Sequence, residues 1–136
     1  MLETVMFEIA LLTTALMFGG TVLYAFGFAA FVFTALPAEA AGPLIRRVFP
    51  HFYLFVLATS ALAAGLSFSA DPISAVILAT IAGTTVVARQ VLMPAINAAT
   101  DQGAKSRFKI LHTLSVLVTL AHIAGAAVVI VRLSNV

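Results

Sequence analysis

Residues 9–36 read IALLTTALMFGGTVLYAFGFAAFVFTAL, twenty-eight residues without a charge. As a helix this stretch would be about 42 Å long, against a bilayer hydrocarbon core of about 30 Å, so it can span with tilt or protrusion to spare. A cleavable signal peptide would need a basic segment ahead of a short apolar core. Here Glu3 and Glu8 come first, and the first basic residue is Arg46. The segment is therefore expected to stay in the membrane.

The rest of the chain agrees with this reading. It is 62% hydrophobic and only 9% charged, where soluble domains are about a quarter charged. There is too little charge to cover a soluble surface, and too much large apolar side chain for disorder. No cysteine is present, which excludes disulfides, thiolate metal sites and cysteine nucleophiles. A net charge of +2 is too small to indicate nucleic-acid binding.

Punctuation divides the chain. Leu36-Pro37 breaks the first run, and Glu39 suits the N-terminal dipole of a following turn. Gly42-Pro43 reads as the start of a second helix with Pro50 as a kink. Asp71-Pro72 pairs an N-cap with proline at the first helical position. The third helix is expected to run on past Pro94 towards Asn97 and Asp101 until Gln102-Gly103, and the fourth to begin near Ser106. The reading is one integral membrane domain over 1–136, all-α, with spans near 9–36, 51–68, 73–92 and 110–131. Short connections between four spans make an antiparallel four-helix transmembrane bundle.

Six of the seven basic residues (Arg46, Arg47, Arg89, Lys105, Arg107 and Lys109) fall on the side of the first and third connections, and only Arg132 falls on the side of the termini. By the positive-inside rule the connections face the cytoplasm. Both termini are then periplasmic or extracellular, and the protein is a multi-pass component of the inner (plasma) membrane.

Polar residues within the spans are the candidates for function. At about 100° per residue, His112, Ser115, Thr119 and His122 share one stripe of the fourth helix. Thr13, Met17, Gly20, Tyr24, Gly27 and Phe31 share one of the first, with Gly20 and Gly27 allowing close helix packing. Such stripes either pack against neighbours, their hydroxyls bonded to i−4 carbonyls, or line a path or cleft. Arg89 either snorkels to the headgroups or pairs with Asp101. His112 is expected to hydrogen-bond across the bundle. No metalloprotease, nucleophile-elbow, phosphate-loop or dinucleotide motif occurs, and no carboxylates are paired for acid–base chemistry. A catalytic site is not expected.

The motifs Gly19-Gly20, Leu36-Pro37, Ala41-Gly42, Phe49-Pro50 and Tyr53, followed by Arg107-Phe108, Leu111-His112 and Ser115, resemble the transmembrane protein 205-like family, also catalogued as bacterial domain of unknown function 4149. The likeness covers nearly the whole chain in order. It departs where members often carry Asn four residues after the serine and this chain has Thr119. The resemblance implies a four-span membrane protein. It also selects Phe49, Pro50, Tyr53, Arg107, His112 and Ser115 as a functional cluster, to which the polar stripe adds Thr119 and the end of the third span adds Arg89. The layout is similar, more distantly, to the CopD-like membrane proteins, which include copper-resistance proteins and haem-containing oxidases.

Two functional readings follow. The first is a non-enzymatic membrane protein in transport or resistance, or an accessory subunit, with no cofactor. Its partners would be the lipid bilayer and a homo-oligomer or larger membrane complex. The alternative is a redox protein holding haem b between His51 and His112, which lie at similar depth. That pair requires the second and fourth helices to face each other.

Overall fold

The chain turns at three places, each with a local cause. Pro37 restricts the residue before it, and Leu36 is accordingly extended (φ −121°, ψ 149°). Pro37 is extended too (ψ 155°) and stands as the N-cap of the next helix. Asp71 caps the third helix, its Oδ1 accepting from the Ile73 amide at 3.2 Å with Pro72 at the first helical position. Gly103, at φ +65°, is the one residue with positive φ. It closes a Schellman turn in which the Gly103 amide donates to the Thr100 carbonyl and the Ala104 amide to that of Ala99.

Between these turns the computed structural model describes all 136 residues as four helices: α1 (Leu2–Ala35), α2 (Ala38–Ser67), α3 (Pro72–Asp101) and α4 (Lys105–Ser134). Each is long and apolar enough to cross a membrane. The helices exceed the apolar runs by several residues at most ends. Gly42-Pro43 does not start α2, because Pro43 lies inside a helix that begins at Ala38. The steric reason is local: the clash with a following proline involves the preceding Cβ, which Gly42 lacks.

Two π-helical segments interrupt the regular geometry, Leu23–Phe28 in α1 and Ala88–Leu92 in α3. In α3 the wider turn precedes Pro94, whose ring and missing N–H would otherwise disturb the ladder. In α1 it moves the inward face by one residue. Ala10, Thr14, Met17 and Thr21 are buried, and beyond the π segment the buried residue is Val32, not Phe31. The stripe expected at a constant 100° per residue therefore fails in part. Thr14 replaces Thr13 as the buried threonine, and Phe31 is 65% exposed. Gly20 does mediate close packing, since a Cβ there would come within 2.7 Å of the Phe55 ring. Gly27 does not; its one close neighbour is Leu23 of its own helix.

Each helix packs on its sequence neighbour, and α1 also packs on α4. α1 with α3, and α2 with α4, are the diagonals of the bundle. The fully buried side chains Met17 and Val56 at mid-bundle, with Leu78, Val129 and Leu133 nearer the second connection, form part of a core that continues to Phe52, Tyr53 and Leu92. Towards the first and third connections the bundle parts. α1 packs on α4 along Leu2–Val22, whereas Ala29–Ala35 rests on α2; Met93–Asp101 of α3 rests on α4. The two helix pairs separate here, and the space between them is the site described next.

Candidate functional site

All four helices contribute to a cavity of about 730 Å³ at this parted end. Its walls are apolar and aromatic, with Phe26, Ala29 and Phe33 from α1, Phe49 and Tyr53 from α2, Met93 and Ile96 from α3, and Phe108 and Val116 from α4. Polar groups gather towards the connections: Glu39 and Arg46 of α2, Asn97, Thr100 and Asp101 of α3, and His112 of α4. Ser115 and Thr119 continue a polar line inward. Both hydroxyls bond backbone of their own helix, Ser115 to the His112 carbonyl at 2.8 Å and Thr119 to the Ser115 carbonyl at 3.0 Å.

One ion pair crosses the gap. Arg46 donates to both carboxylate oxygens of Asp101, at 2.9 and 3.2 Å, and approaches the Asn97 carbonyl at 3.5 Å. This fork joins α2 to the end of α3 where their backbones have separated. The pairing of Arg89 with Asp101 weighed from the sequence is thus replaced. The Arg89 Nε donates to the Pro50 carbonyl at 3.2 Å and its Nη1 to Gln90 at 2.9 Å. Arg46 reaches Asp101 because it faces the gap one helix away, whereas Arg89 is turned onto α2.

Aromatic rings support the wall between α1 and α2. The π segment of α1 presents Tyr24, whose ring stacks on Phe52 at 4.7 Å and meets Phe49 edge-on at 5.6 Å. Phe49 also meets Phe52 and Tyr53 edge-on, at 5.6 and 6.1 Å. Pairs of this kind contribute about 0.5–1.5 kcal/mol each beyond burial. Phe49 and Tyr53 are thereby fixed in the cavity wall, and π segments of this kind recur at functional sites.

Of the residues singled out from the sequence, the cavity brings together Phe49, Tyr53, His112, Ser115 and Thr119. Arg107, Pro50 and Arg89 lie outside its lining. His112 makes no hydrogen bond across the bundle; its ring stacks on Phe108 of its own helix at 5.4 Å. The histidine that does bridge helices is His122, whose Nε2 lies 2.7 Å from the Thr84 hydroxyl of α3. His51 is exposed and outside the cavity, and α2 and α4 are diagonal. His51 and His112 therefore do not share the cavity.

Sequence reasoning missed Glu39, Arg46, Asn97 and Asp101 as site residues. All four stand at the same end of adjacent helices, which was a usable signal. At the opposite end it missed a second ion pair. Arg132 of α4 donates to Asp71 through Nε at 2.9 Å and Nη2 at 2.8 Å. Together with the Ser74 hydroxyl at 2.6 Å, this hydrogen bonding holds the Asp71 carboxyl well below the usual carboxylate range.

Fold and site define an all-helical bundle of four helices long and apolar enough to cross a membrane, with a cavity at one end. The chain belongs to the family described as domain of unknown function (DUF4149), whose model matches residues 12–105. That match takes in three helices of the cavity and ends at Lys105, the first residue of α4. No curated protein and no solved structure matches the chain.

Proposed function

We propose that this chain is a multi-pass inner-membrane protein whose cavity takes up a small amphipathic molecule from the membrane, in a transport or resistance role. In this reading the helices form an antiparallel bundle across the bilayer, with both termini outside and the cavity at the cytoplasmic end. Only 24 of the 136 residues are buried, and the outer faces carry Leu, Val, Ile and Phe, a surface that lipid solvates and water does not. The motifs that resemble those of transmembrane protein 205-like proteins fit such a layout.

The observation that carries the binding role is the cavity itself. Its volume lies within the range of about 300–1,000 Å³ usual for small-molecule sites. Its rim includes Phe26, Phe33 and Phe108, exposed by 42%, 56% and 37%, between α1 and α4 where those helices part. A guest can enter sideways from the lipid, lay its apolar body on these rings and keep its polar end among Glu39, Asn97 and His112 at headgroup level.

The test is equilibrium dialysis of a neutral fluorescent amphipath, N-phenyl-1-naphthylamine, against the purified protein in a maltoside detergent. We expect saturable binding above micelle partition, lost in Ala29→Trp, which fills the cavity from α1. Equal uptake by a folded Ala29→Trp variant, or no binding beyond that of empty micelles, overturns the reading.

A further inference from the structure

The charges around the cavity do not balance. Two of the chain's five acids, Glu39 and Asp101, line it; the other three, Glu3, Glu8 and Asp71, belong to the opposite end. Its one fixed cation, Arg46, is held by Asp101 in a two-pronged pair. The protein's only other ion pair is Arg132 with Asp71, so Glu39 has no basic side chain within salt-bridge distance. Arg47, Lys105, Arg107 and Lys109 stand at the same end, exposed as Glu39 is, and Arg89 is turned onto the Pro50 carbonyl; none of the five lines the cavity. Arg46 and Asp101 cancel, and one carboxylate remains unmatched.

The walls favour the same sign of guest. Phe26, Phe33, Phe49, Tyr53 and Phe108 all border the space. The faces of such rings carry a negative quadrupole that attracts cations. An anion of the same shape would meet the ring faces and Glu39 with the wrong sign, and a neutral guest would gain nothing from Glu39. On these grounds we infer that the cavity selects lipophilic organic cations, with Glu39 as the residue that reads the positive charge. This inference rests on the cavity being the binding site proposed above.

Tetraphenylphosphonium and tetraphenylborate, which share shape and differ in sign, separate the two ideas. Both are dialysed in non-ionic detergent against the wild type, Glu39→Gln, Glu39→Lys and Ala29→Trp, with thermal melts to show that each variant folds. We expect the wild type to prefer the phosphonium by about tenfold, the gain of one favourable charge contact over an unfavourable one. Glu39→Gln should weaken phosphonium binding about three-fold and strengthen borate binding about three-fold, removing the preference; Glu39→Lys should reverse it. Equal binding of the two ions, or a preference that survives in Glu39→Gln, overturns the inference while leaving the cavity reading intact. Failure of both ions to bind above empty micelles, or equal binding to Ala29→Trp, removes the cavity reading itself.

Discussion

Asp71 does three jobs with one carboxylate. It caps α3 through the Ile73 amide, accepts from the Ser74 hydroxyl, and takes both prongs of Arg132. Each bond favours the ionised form, so the folded-state pKa is depressed below the unfolded value of about 3.9. A carboxyl depressed on folding contributes stability that is present in full above its unfolded pKa and lost as pH falls towards the folded one. The contribution of Asp71 should therefore be constant above about pH 5 and decline from about pH 4 downward. Asp71→Asn keeps an acceptor for the cap and removes the ion pair. We expect the variant to melt at a lower temperature than the wild type at pH 7, in detergent. The gap should narrow as pH is lowered through 4 and 3, a comparison in which the remaining acids cancel. A gap that widens with acid would contradict this assignment. Arg132 is more than a third exposed at its side chain, so solvent screening keeps the effect modest.

Helix contacts turn on single glycines. Gly19 and Gly20 are sequence neighbours, yet a Cβ at Gly19 would meet nothing within 4 Å, whereas one at Gly20 would come within 2.7 and 2.8 Å of the Phe55 ring. Gly20 therefore lies against α2 by close approach, and the ring of Phe55 would have to yield to any side chain placed there. Gly20→Val should destabilise the bundle by about 1–3 kcal/mol, the usual cost of overpacking. Gly19→Ala should be neutral or slightly stabilising, because alanine is the better helix former. Detergent melts of the two variants settle the comparison, and equal losses would mean that the α1–α2 contact has been misplaced. This pair also shows what the sequence could convey. Asp71-Pro72 announces a helix start because cap and proline act locally, and Gln102-Gly103 announces a stop for the same reason. The π turns at Leu23–Phe28 and Ala88–Leu92 were not readable in that way. A constant helical period carried through the first of them places Phe31 in the inward position that Val32 holds. Pro43 misled in the opposite direction, because a glycine before it relieves the clash that usually ends a helix. The partner of Asp101 depended on which helix faces the gap, a property of packing that no local pattern records.

Seen whole, the molecule concentrates its polar function at one end and its tight packing at the other. Leu78, Val129 and Leu133 are fully buried towards the second connection, where Asp71 and Arg132 fasten α3 to α4, and Met17 and Val56 continue that core to mid-bundle. The opposite end is held across the gap by Arg46 and Asp101, both substantially exposed, and a pair of that kind contributes about 1 kcal/mol or less. The weaker end is thus the one that can widen, and six of the seven basic residues belong to it. In the proposed membrane topology the positive-inside rule places that end in the cytoplasm, so a guest would meet the cavity from the inner leaflet. The chain has no cysteine, which makes the orientation directly measurable. Single cysteines at Gly103 and at Asn135 stand at opposite ends, on the third connection and just past α4. In intact cells a membrane-impermeant thiol reagent should label the Asn135 variant and spare the Gly103 variant until the membrane is opened. The reverse pattern would turn the protein over and put the cavity mouth at the outer leaflet. Labelling of both positions in sealed cells would contradict the bias itself, since each end would then be reaching the outside. The cavity's depth makes the orientation matter for uptake: Thr119, its innermost polar residue, is fourteen residues into α4, about 21 Å by helix rise. Nine of those residues follow Ile110, where the apolar run begins. A cation admitted at the inner leaflet would therefore go about 13 Å into a hydrocarbon core of about 30 Å, somewhat less than halfway, before meeting the packed core.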